Sequence, residues 1–258
     1  MTAQRRDRRS YEFMTPEAQL RRMSVQFDFS DSVVLVTGVG GALGSAVAER
    51  FLDAGATVCG SDIVASDSEE FLFDSPERLD FYRADFTDES EVADTVESVV
   101  ETHGGLDYLA NIAGTWRGGD PVQETDVELF DLLFDVNLKT AFLGAKHALP
   151  HLREREGAVV SVASRSSLSG GEGDALYRAS KAGVRLLTES IAAENKGTVR
   201  ANAIVPSVID TPMNREMMPD ADHDEWADPA DVADVVLALC SDATAVTSGA
   251  AVPVYDES

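Results

Sequence analysis

The sequence is short of basic residues, and of lysine above all. Its 258 residues include 21 Lys and Arg against 46 Asp and Glu, which gives a formal net charge of −25. The few lysines are Lys139, Lys146, Lys181 and Lys196. Nucleic acids and anionic membrane surfaces are bound by basic patches, because their phosphates are repelled by an acidic surface. We therefore expect neither as a partner.

The excess of acidic residues indicates an adaptation to concentrated salt. The acidic residues are scattered along predicted helix faces and are not collected in a tail. Salt screens the mutual repulsion that otherwise loosens a folded chain of this charge. We therefore expect a halophilic protein, and the alternative is an acidic protein of an ordinary cytosol.

Cysteine is nearly absent, and so are long apolar runs. Cys59 and Cys240 lie in separate apolar segments without a C-x-x-C spacing, so we expect buried thiols in a reducing compartment. No apolar stretch reaches the length of a membrane-spanning helix, and no signal peptide is visible. These absences predict a cytoplasmic protein. Metal-ligand spacing is also missing among the histidines, which predicts no metal site: His103, His147, His151 and His223.

No linker, internal repeat or low-complexity tract divides the body of the chain. Residues 1–22 are polar and rich in arginine, and Met23 begins a stretch that reads as a natural start. We therefore expect one domain over residues 23–258. We interpret residues 1–22 as a disordered extension or as sequence upstream of the true start, with a functional basic arm as the alternative.

A strand, a glycine-rich turn and a helix follow one another early in the chain. Residues 33–36 form a continuous apolar run, TGVGGALG follows at 37–44, and apolar residues at helical spacing come next. In this setting glycines let the backbone approach a pyrophosphate, and the helix N-terminus offers free N–H groups and a positive dipole. The turn therefore predicts a dinucleotide site.

An acidic residue, Asp62, follows the second predicted strand, residues 56–60. A carboxylate near that distance from the glycine turn accepts hydrogen bonds from an adenosine ribose diol. Its charge repels the extra phosphate of NADP, and no arginine follows at once to receive that phosphate. The pattern favours NAD over NADP, the alternative being that Asp62 only begins a turn.

Strands and helices alternate along the rest of the chain, and residues 63–78 between them are expected to be degenerate helix or loop. The further predicted strands are 79–82, 106–110, 157–163, 198–205 and 250–254. The further predicted helices are 88–103, a long one from Asp126 through Asn137, one carrying Tyr177, and 229–239. Such alternation builds a parallel sheet with helices on both faces. The predicted fold class is α/β, a single-domain doubly wound Rossmann sheet of about seven strands.

Tyr177 and Lys181 lie one helical turn apart, after a buried strand and a loop rich in Ser and Gly. A free phenol has a pKa of about 10, so it is a poor acid or base at neutral pH unless a nearby cation stabilises the phenolate. Lys181 is placed to do so, and Ser164, where the strand ends, is placed to donate a hydrogen bond to a substrate oxygen. The alternative is a solvated helix face that happens to carry Tyr and Lys.

Together these motifs resemble the short-chain dehydrogenase/reductase family over residues 27–258. TGVGGALG resembles the TGxxxGxG cofactor loop, with Ala42 where the family usually has glycine. NIAG at 111–114 resembles NNAG, and PSVIDTPM at 206–213 resembles the PGxxxT region, with Ser207 in place of glycine. The resemblance implies hydride transfer at the nicotinamide C4, with Tyr177 moving the proton.

The family's catalytic set is complete in this chain. By resemblance, Tyr177 matches the acid/base tyrosine, and Lys181 matches the lysine that lowers its pKa and holds the nicotinamide ribose. Ser164 matches the serine that polarises the substrate oxygen, and Asn137 matches the asparagine that supports a water-linked proton relay. The expected cofactor contacts are Gly38, Gly40, Gly41, Leu43, Gly44, Asp62, Asp85, Phe86, Asn111, Ala113, Gly114, Tyr177, Lys181, Pro206, Ile209 and Thr211.

The loops that usually set specificity in this family do not name a substrate. Arg117, Arg165 and Arg178 stand out there because arginine is scarce. They are candidates to bind a carboxylate or phosphate of a substrate, or else they pair with the abundant surface acids. Trp226 either caps the pocket or belongs to the core.

The sequence as a whole predicts an NAD-dependent alcohol dehydrogenase or ketone reductase. A 3-oxoacyl thioester reductase is the alternative among enzymes, although that role usually goes with NADP and a basic face for an acidic carrier. A non-catalytic nucleotide sensor on the same fold is the alternative from another class. The family commonly forms tetramers through the Asn137 and Tyr177 helices, so we expect a homo-oligomer, either a dimer or a tetramer.

Overall fold

One parallel sheet of seven strands forms the centre of the protein in the computed structural model, which describes residues 27–255. The strand order is β3-β2-β1-β4-β5-β6-β7. The strands are β1 (Val33–Thr37), β2 (Thr57–Asp62), β3 (Asp80–Arg83), β4 (Tyr108–Asn111), β5 (Ala158–Val162), β6 (Arg200–Pro206) and β7 (Ala251–Val254). The predicted doubly wound fold is confirmed, and the extension predicted for residues 1–22 lies outside the described residues.

Helices cover both faces of the sheet. They are α1 (Ala42–Asp53), α2 (Glu89–His103), α3 (Val127–Leu133), α4 (Thr140–Glu154), α5 (Ala175–Glu194), α6 (Pro212–Met217) and α7 (Pro229–Cys240). Apolar residues of α1 and α7 form one core with β1 and its neighbours, and α2 and α4 form a second core on the other face. Because the central strands are buried on both sides, they read as continuous apolar runs in the sequence.

The long helix predicted from Asp126 is interrupted at the residue of most interest. Asp126 precedes α3, and Phe134–Lys139 then form a π-helical turn that leads directly into α4. Asn137 lies within this turn and is buried. A π turn adds a residue to the helical repeat, so the side chains that follow it are rotated relative to a regular helix.

The segment after β2 is a loop with one short 3-10 turn at Pro76–Arg78, as one of the two predicted alternatives had it. Phe71 and Phe73 anchor this loop in the core, and the Leu72 amide donates to the carbonyl oxygen of Gly40 at 2.8 Å. The loop therefore folds back onto the glycine-rich turn between β1 and α1.

The carboxyl ends of β1 and β4 lie side by side, with Thr37 paired to Asn111 in the ladder. The strand order reverses between these two strands, and ligands of open α/β sheets bind in the crevice at that point. The topology therefore places the glycine turn, Asp62 and the loop after β4 around one crevice. Within residues 27–255 no helix combines the length and the apolar character needed to cross a membrane.

Candidate active site

Two glycines of the turn, Gly38 and Gly44, are packed too closely to carry side chains. Gly38 has a φ of 69°, and a Cβ atom there would lie 2.9 Å from the Cα of Ala113. A Cβ at Gly44 would lie 2.0 Å from the carbonyl oxygen of Gly38. Gly41 precedes α1 without a side-chain cap, and the first turn holds no acidic residue. The N–H groups of that turn are therefore left to bind an anion such as a pyrophosphate.

Asp62 lies against the glycine turn. One carboxylate oxygen accepts a hydrogen bond from the Gly40 amide and the other accepts one from the Val64 amide, both at 2.9 Å. Each oxygen keeps a further lone pair for a ligand hydroxyl. The ring of Phe71 closes the far side, since a Cβ at Gly40 would lie 2.7 Å from it.

The end of β4 is fixed by Thr37, a residue that the sequence reasoning did not single out. Its hydroxyl oxygen accepts from the amides of Ile112 and Ala113, at 3.1 and 3.2 Å. Asn111 is buried and donates to the carbonyl oxygen of Ala141 at 3.3 Å. These bonds join β1, β4 and α4 beneath the crevice.

The side chains of Lys181 and Asn137 both lie next to Gly114. A Cβ atom at Gly114 would lie 2.8 Å from Lys181 Nζ and 2.9 Å from Asn137 Oδ1. Lys181 is buried, and its ammonium donates to the carbonyl oxygen of Val162 at 2.9 Å. Burial lowers the pKa of Lys181 to about 8, so the side chain is mostly charged at neutral pH.

Asn137 is held by hydrogen bonds on both ends of its amide. Its Oδ1 accepts from the Thr115 amide at 2.8 Å, and its Nδ2 donates to the Thr115 carbonyl oxygen at 3.0 Å. Nδ2 also donates to Ser180 Oγ at 3.1 Å. The π turn thus directs Asn137 between the loop after β4 and helix α5, and Ser180 is a second residue that sequence reasoning missed.

Ser164 and Tyr177 form the hydrogen-bonded pair of the site. Ser164 follows β5 in an extended conformation, is buried, and accepts from the Ser166 amide at 3.1 Å. Burial raises the pKa of Tyr177, the hydrogen bond with Ser164 lowers it, and the charge of Asp174 raises it. The net direction is upward, so Tyr177 is a protonated phenol at neutral pH.

The structure differs here from the expectation that Lys181 lowers the pKa of Tyr177. The causes that act on the phenol are burial, Ser164 and Asp174, in that order. Lys181 is itself buried, and its ammonium is directed to Val162. Of these causes, only the hydrogen bond with Ser164 favours the phenolate.

Other predicted cofactor residues lie near strand ends and helix starts. Asp85 follows β3 and accepts from the amide and hydroxyl of Thr87, at 2.8 and 2.7 Å. Thr211 caps α6 by accepting from the Asn214 amide at 3.2 Å. Leu43 and Phe86 have buried side chains, one in each of the two cores. Pro206 ends β6, and Ile209 follows in a bridge to Ala227.

Arg178 pairs with an acidic residue, which is one of the two alternatives predicted for the arginines of these loops. Its guanidinium binds the carboxylate of Asp174 and donates to the Ser169 carbonyl oxygen at 3.2 Å, which braces the loop after β5. Arg117 donates to the Trp116 carbonyl oxygen at 2.7 Å, and Arg165 lies over the Tyr255 ring, 5.5 Å from its centroid. Trp226 is buried, which is the core alternative.

Comparison with known proteins decides the family. A family model described as enoyl-(acyl carrier protein) reductase matches residues 38–255. The chain belongs to the short-chain dehydrogenase/reductase family. Members of this family are oxidoreductases that act on CH–OH and C=O groups with a nicotinamide cofactor, either NAD or NADP. The resemblance predicted from the motifs is confirmed.

Relatives within the short-chain dehydrogenase/reductase family differ in their substrates. The chain is 32% identical over 231 residues to 3-oxoacyl-[acyl-carrier-protein] reductase of Thermotoga maritima, covering 84% of this chain and 93% of the relative. It is 32% identical over 237 residues to meso-2,3-butanediol dehydrogenase of Serratia marcescens, covering 88% and 94%. The identities are equal, so they do not select a substrate for this member of the family.

Solved structures of the family share the fold. Levodione reductase superimposes with a TM-score of 0.81 at 31% identity, covering 89% of this chain and 97% of that one. Aldohexose dehydrogenase of Thermoplasma acidophilum gives 0.79 at 26%, covering 88% and 93%. The seven-stranded sheet of this short-chain dehydrogenase/reductase is therefore the family's sheet.

Proposed function

We propose that the protein is an NAD-dependent dehydrogenase/reductase that interconverts an alcohol and the corresponding carbonyl compound. The proposal is supported by two pairs of polar side chains from the predicted catalytic set. Tyr177 is hydrogen-bonded to Ser164, while Lys181 and Asn137 flank Gly114 beside the glycine turn. A non-catalytic sensor has no use for this complete set.

The residues present fit a dinucleotide, because Gly38 and Gly44 leave no room for side chains and the N-terminus of α1 has no side-chain cap. When bound, the nicotinamide cofactor supplies or accepts the hydride at C4. Gly38, Gly41 and Gly44 would cradle the pyrophosphate, Asp62 the adenosine ribose, and Thr211 the carboxamide.

Proton movement is the work of this chain's own side chains. Ser164 donates a hydrogen bond to the substrate oxygen, and Tyr177 protonates that oxygen as the carbonyl carbon is reduced. Its raised pKa keeps the proton in place until then. The hydrogen bond with Ser164 stabilises the resulting phenolate, the Lys181 ammonium would hold the nicotinamide ribose, and Asn137 holds the relay that returns a proton from water. Alcohol oxidation runs the same steps in reverse.

NAD and a small alcohol or ketone are the favoured cofactor and substrate. The Asp62 carboxylate at the ribose position supports NAD. The second candidate substrate is a 3-oxoacyl thioester, because the similar protein of Thermotoga maritima is named as a 3-oxoacyl-[acyl-carrier-protein] reductase. Against it stands the acidic composition, which offers little basic surface to an acidic carrier. The buried free thiols of Cys59 and Cys240 support a reducing, cytoplasmic setting.

Oxidation and reduction assays in molar KCl test the activity. Sugars, secondary alcohols, 3-oxoacyl thioesters and steroids are each supplied with NAD(H) and with NADP(H), and reduced nicotinamide is followed by absorbance. We expect turnover with a small alcohol or ketone and NAD(H). Turnover with thioesters and NADPH alone selects the second candidate.

We propose that an apolar face on α4 and α5 makes the protein a homo-oligomer. A shallow groove there is lined by Phe134 and Leu138 of the preceding π turn, by Phe142 of α4 and by Leu187 of α5. A Cβ at Gly183 would lie 2.8 Å from the Leu138 side chain, so this glycine lets α5 approach the π turn closely. Phe142 is 46% exposed, which is a large apolar surface to leave in water.

The Phe142→Glu substitution is expected to convert the oligomer into monomers, because it buries a charge at the contact of two acidic subunits. Light scattering coupled to size-exclusion chromatography gives the mass of each variant. Leu72→Glu is the matched control, since Leu72 is 42% exposed outside this face. An unchanged mass for Phe142→Glu, or a monomeric parent, contradicts the assignment.

We propose a halophilic setting on the basis of the net charge of −25. The free energy of unfolding is expected to rise in molar KCl by at least about 1 kcal/mol, or about 2–4 °C in melting temperature. The reason is that screening removes repulsion among the acids. Thermal melts in low salt and in molar KCl measure this. The gain should shrink as the pH approaches the pI of about 4.3, and no gain at neutral pH contradicts the proposal.

A further inference from the structure

Three potential metal ligands lie close together on β2, on β3 and at the end of α2. Cys59 of β2, Asp80 of β3 and His103 at the end of α2 place a thiol, a carboxylate oxygen and an imidazole nitrogen within 4.8 Å of one another. Cys59 and Asp80 are partners in the parallel ladder, so their side chains leave the sheet next to each other. Among residues 27–255 this is the one such group.

The histidine is directed towards the carboxylate of the group. Its Nε2 lies 3.0 Å from Asp80 Oδ2, yet this buried nitrogen makes no aligned hydrogen bond. Cys59 is fully buried, whereas the Asp80 side chain is 54% exposed, so an ion has access from the Asp80 side.

We propose that Cys59, Asp80 and His103 bind a divalent transition-metal ion, of which Zn²⁺ fits best. Zn²⁺ accepts thiolate, imidazole and carboxylate ligands together, and water completes the fourth position when a protein supplies three. Mg²⁺ and Ca²⁺ prefer oxygen ligands only. Zinc bond lengths hold ligand atoms about 3–4 Å apart, so rotation of these side chains closes the site.

Charge favours the ion. The Asp80 carboxylate places a negative charge beside the Cys59 thiol, and the thiol proton leaves to solvent as the sulfur–metal bond forms. The acidic surface also raises the local concentration of cations.

The site lies between three elements of the fold, one of which is an edge strand. β3 is the edge strand of the sheet, and the ion would connect it to β2 and to the end of α2. Since the ion binds the folded chain, it stabilises the fold by mass action. The function we assign is therefore structural, and it is independent of the proposed redox activity.

Cobalt binding tests the assignment on the full-length protein after treatment with a chelator. Co²⁺ is added while the thiolate-to-cobalt charge-transfer absorption is followed, and Zn²⁺ is then added as competitor. We expect one ion per chain, displacement of Co²⁺ by Zn²⁺, and a higher melting temperature with either ion. A saturable thiolate band is required, so its absence from the parent protein overturns the proposal.

Variants identify the ligands. Cys59→Ser is expected to remove the thiolate band, and His103→Gln to weaken binding by at least about tenfold, since disturbing even an outer partner of a metal site costs that much. His103 lies at a helix end, so this variant reports even if Cys59→Ser fails to fold. Cys240→Ser is the matched control, because Cys240 is also a buried free cysteine. Unchanged binding in His103→Gln, or loss of the band in Cys240→Ser, contradicts the site.

Discussion

The Tyr177→Phe variant is expected to lose turnover by about 10²- to 10⁴-fold or more, the contribution of a positioned acid–base group. The ring remains and fills the same space beside Ser164, but the hydroxyl that carries the proton is gone. Since the phenol hydroxyl acts on the substrate oxygen, the affinity for the nicotinamide cofactor should stay nearly unchanged. Initial rates and cofactor titration by fluorescence measure the two quantities separately.

A matched control separates chemistry from folding. Tyr82→Phe removes a hydroxyl from β3, away from the catalytic pair, and is expected to keep turnover. Both variants should melt close to the parent. If Tyr177→Phe retains turnover, Tyr177 is not the acid–base group and the mechanism proposed here is wrong. A shared loss in both variants would point instead to damage to the sheet.

The Asp62→Asn variant is expected to shift the ratio of kcat/KM for NADP to that for NAD upward by about 100-fold. A carboxylate beside a phosphate is a like-charge contact that costs several kcal/mol, and about 1.4 kcal/mol corresponds to a factor of ten. Asparagine keeps the size of the side chain and removes the charge. The parent itself should prefer NAD, as measured by initial rates with each cofactor.

Arg83 provides a second variant for the test of cofactor preference. It lies opposite Asp62 in the ladder between β2 and β3, and its guanidinium donates to the Ile63 carbonyl oxygen at 3.1 Å. If NAD is the cofactor, Arg83→Gln should leave the rate with NAD unchanged. Asp67→Asn, which removes an exposed acid of the same loop, controls for charge alone. A parent that prefers NADP, and loses that preference in Arg83→Gln, contradicts the assignment of Asp62.

The elements that could be predicted from sequence are those with strong local patterns. Buried parallel strands such as β1 are continuous apolar runs, and glycine turns are recognised from the strand and helix around them. Asp88 accepts hydrogen bonds from the amides of Ser90 and Glu91, as expected of a helix cap. The spacing of Tyr177 and Lys181 depends only on the helical repeat, so a helix there sets their relative placement.

Features that depend on contacts between residues distant in the chain could not be predicted from the sequence. No characteristic residue pattern marks the π turn at Phe134–Lys139. Within this turn, Asn137 is held by hydrogen bonds to Thr115 and Ser180. Cys59 and His103 lie far apart in the chain, and their proximity follows from the pairing of β2 with β3 and the path of α2. Spacing rules for metal ligands do not detect such a group, since they compare neighbours in sequence.

The pKa of Tyr177 illustrates the same limit. Sequence places a cation one turn away, which predicts a lowered pKa. In the fold, burial is the largest cause acting on the phenol and raises its pKa, and the Lys181 ammonium is directed to the carbonyl oxygen of Val162. The balance between burial and charge is a property of the packed site, so residue spacing alone does not give it.

Label transfer tests the central claim most directly, that this crevice carries out hydride transfer between a nicotinamide cofactor and a carbonyl carbon. A ketone that turns over is reduced with NADH deuterated at C4 on either face, and the alcohol is analysed by mass spectrometry. We predict deuterium on the former carbonyl carbon from one of the two labelled cofactors, at a rate that collapses in Tyr177→Phe. Alcohol formed without deuterium from either cofactor, or no reduction of any carbonyl class, contradicts the account.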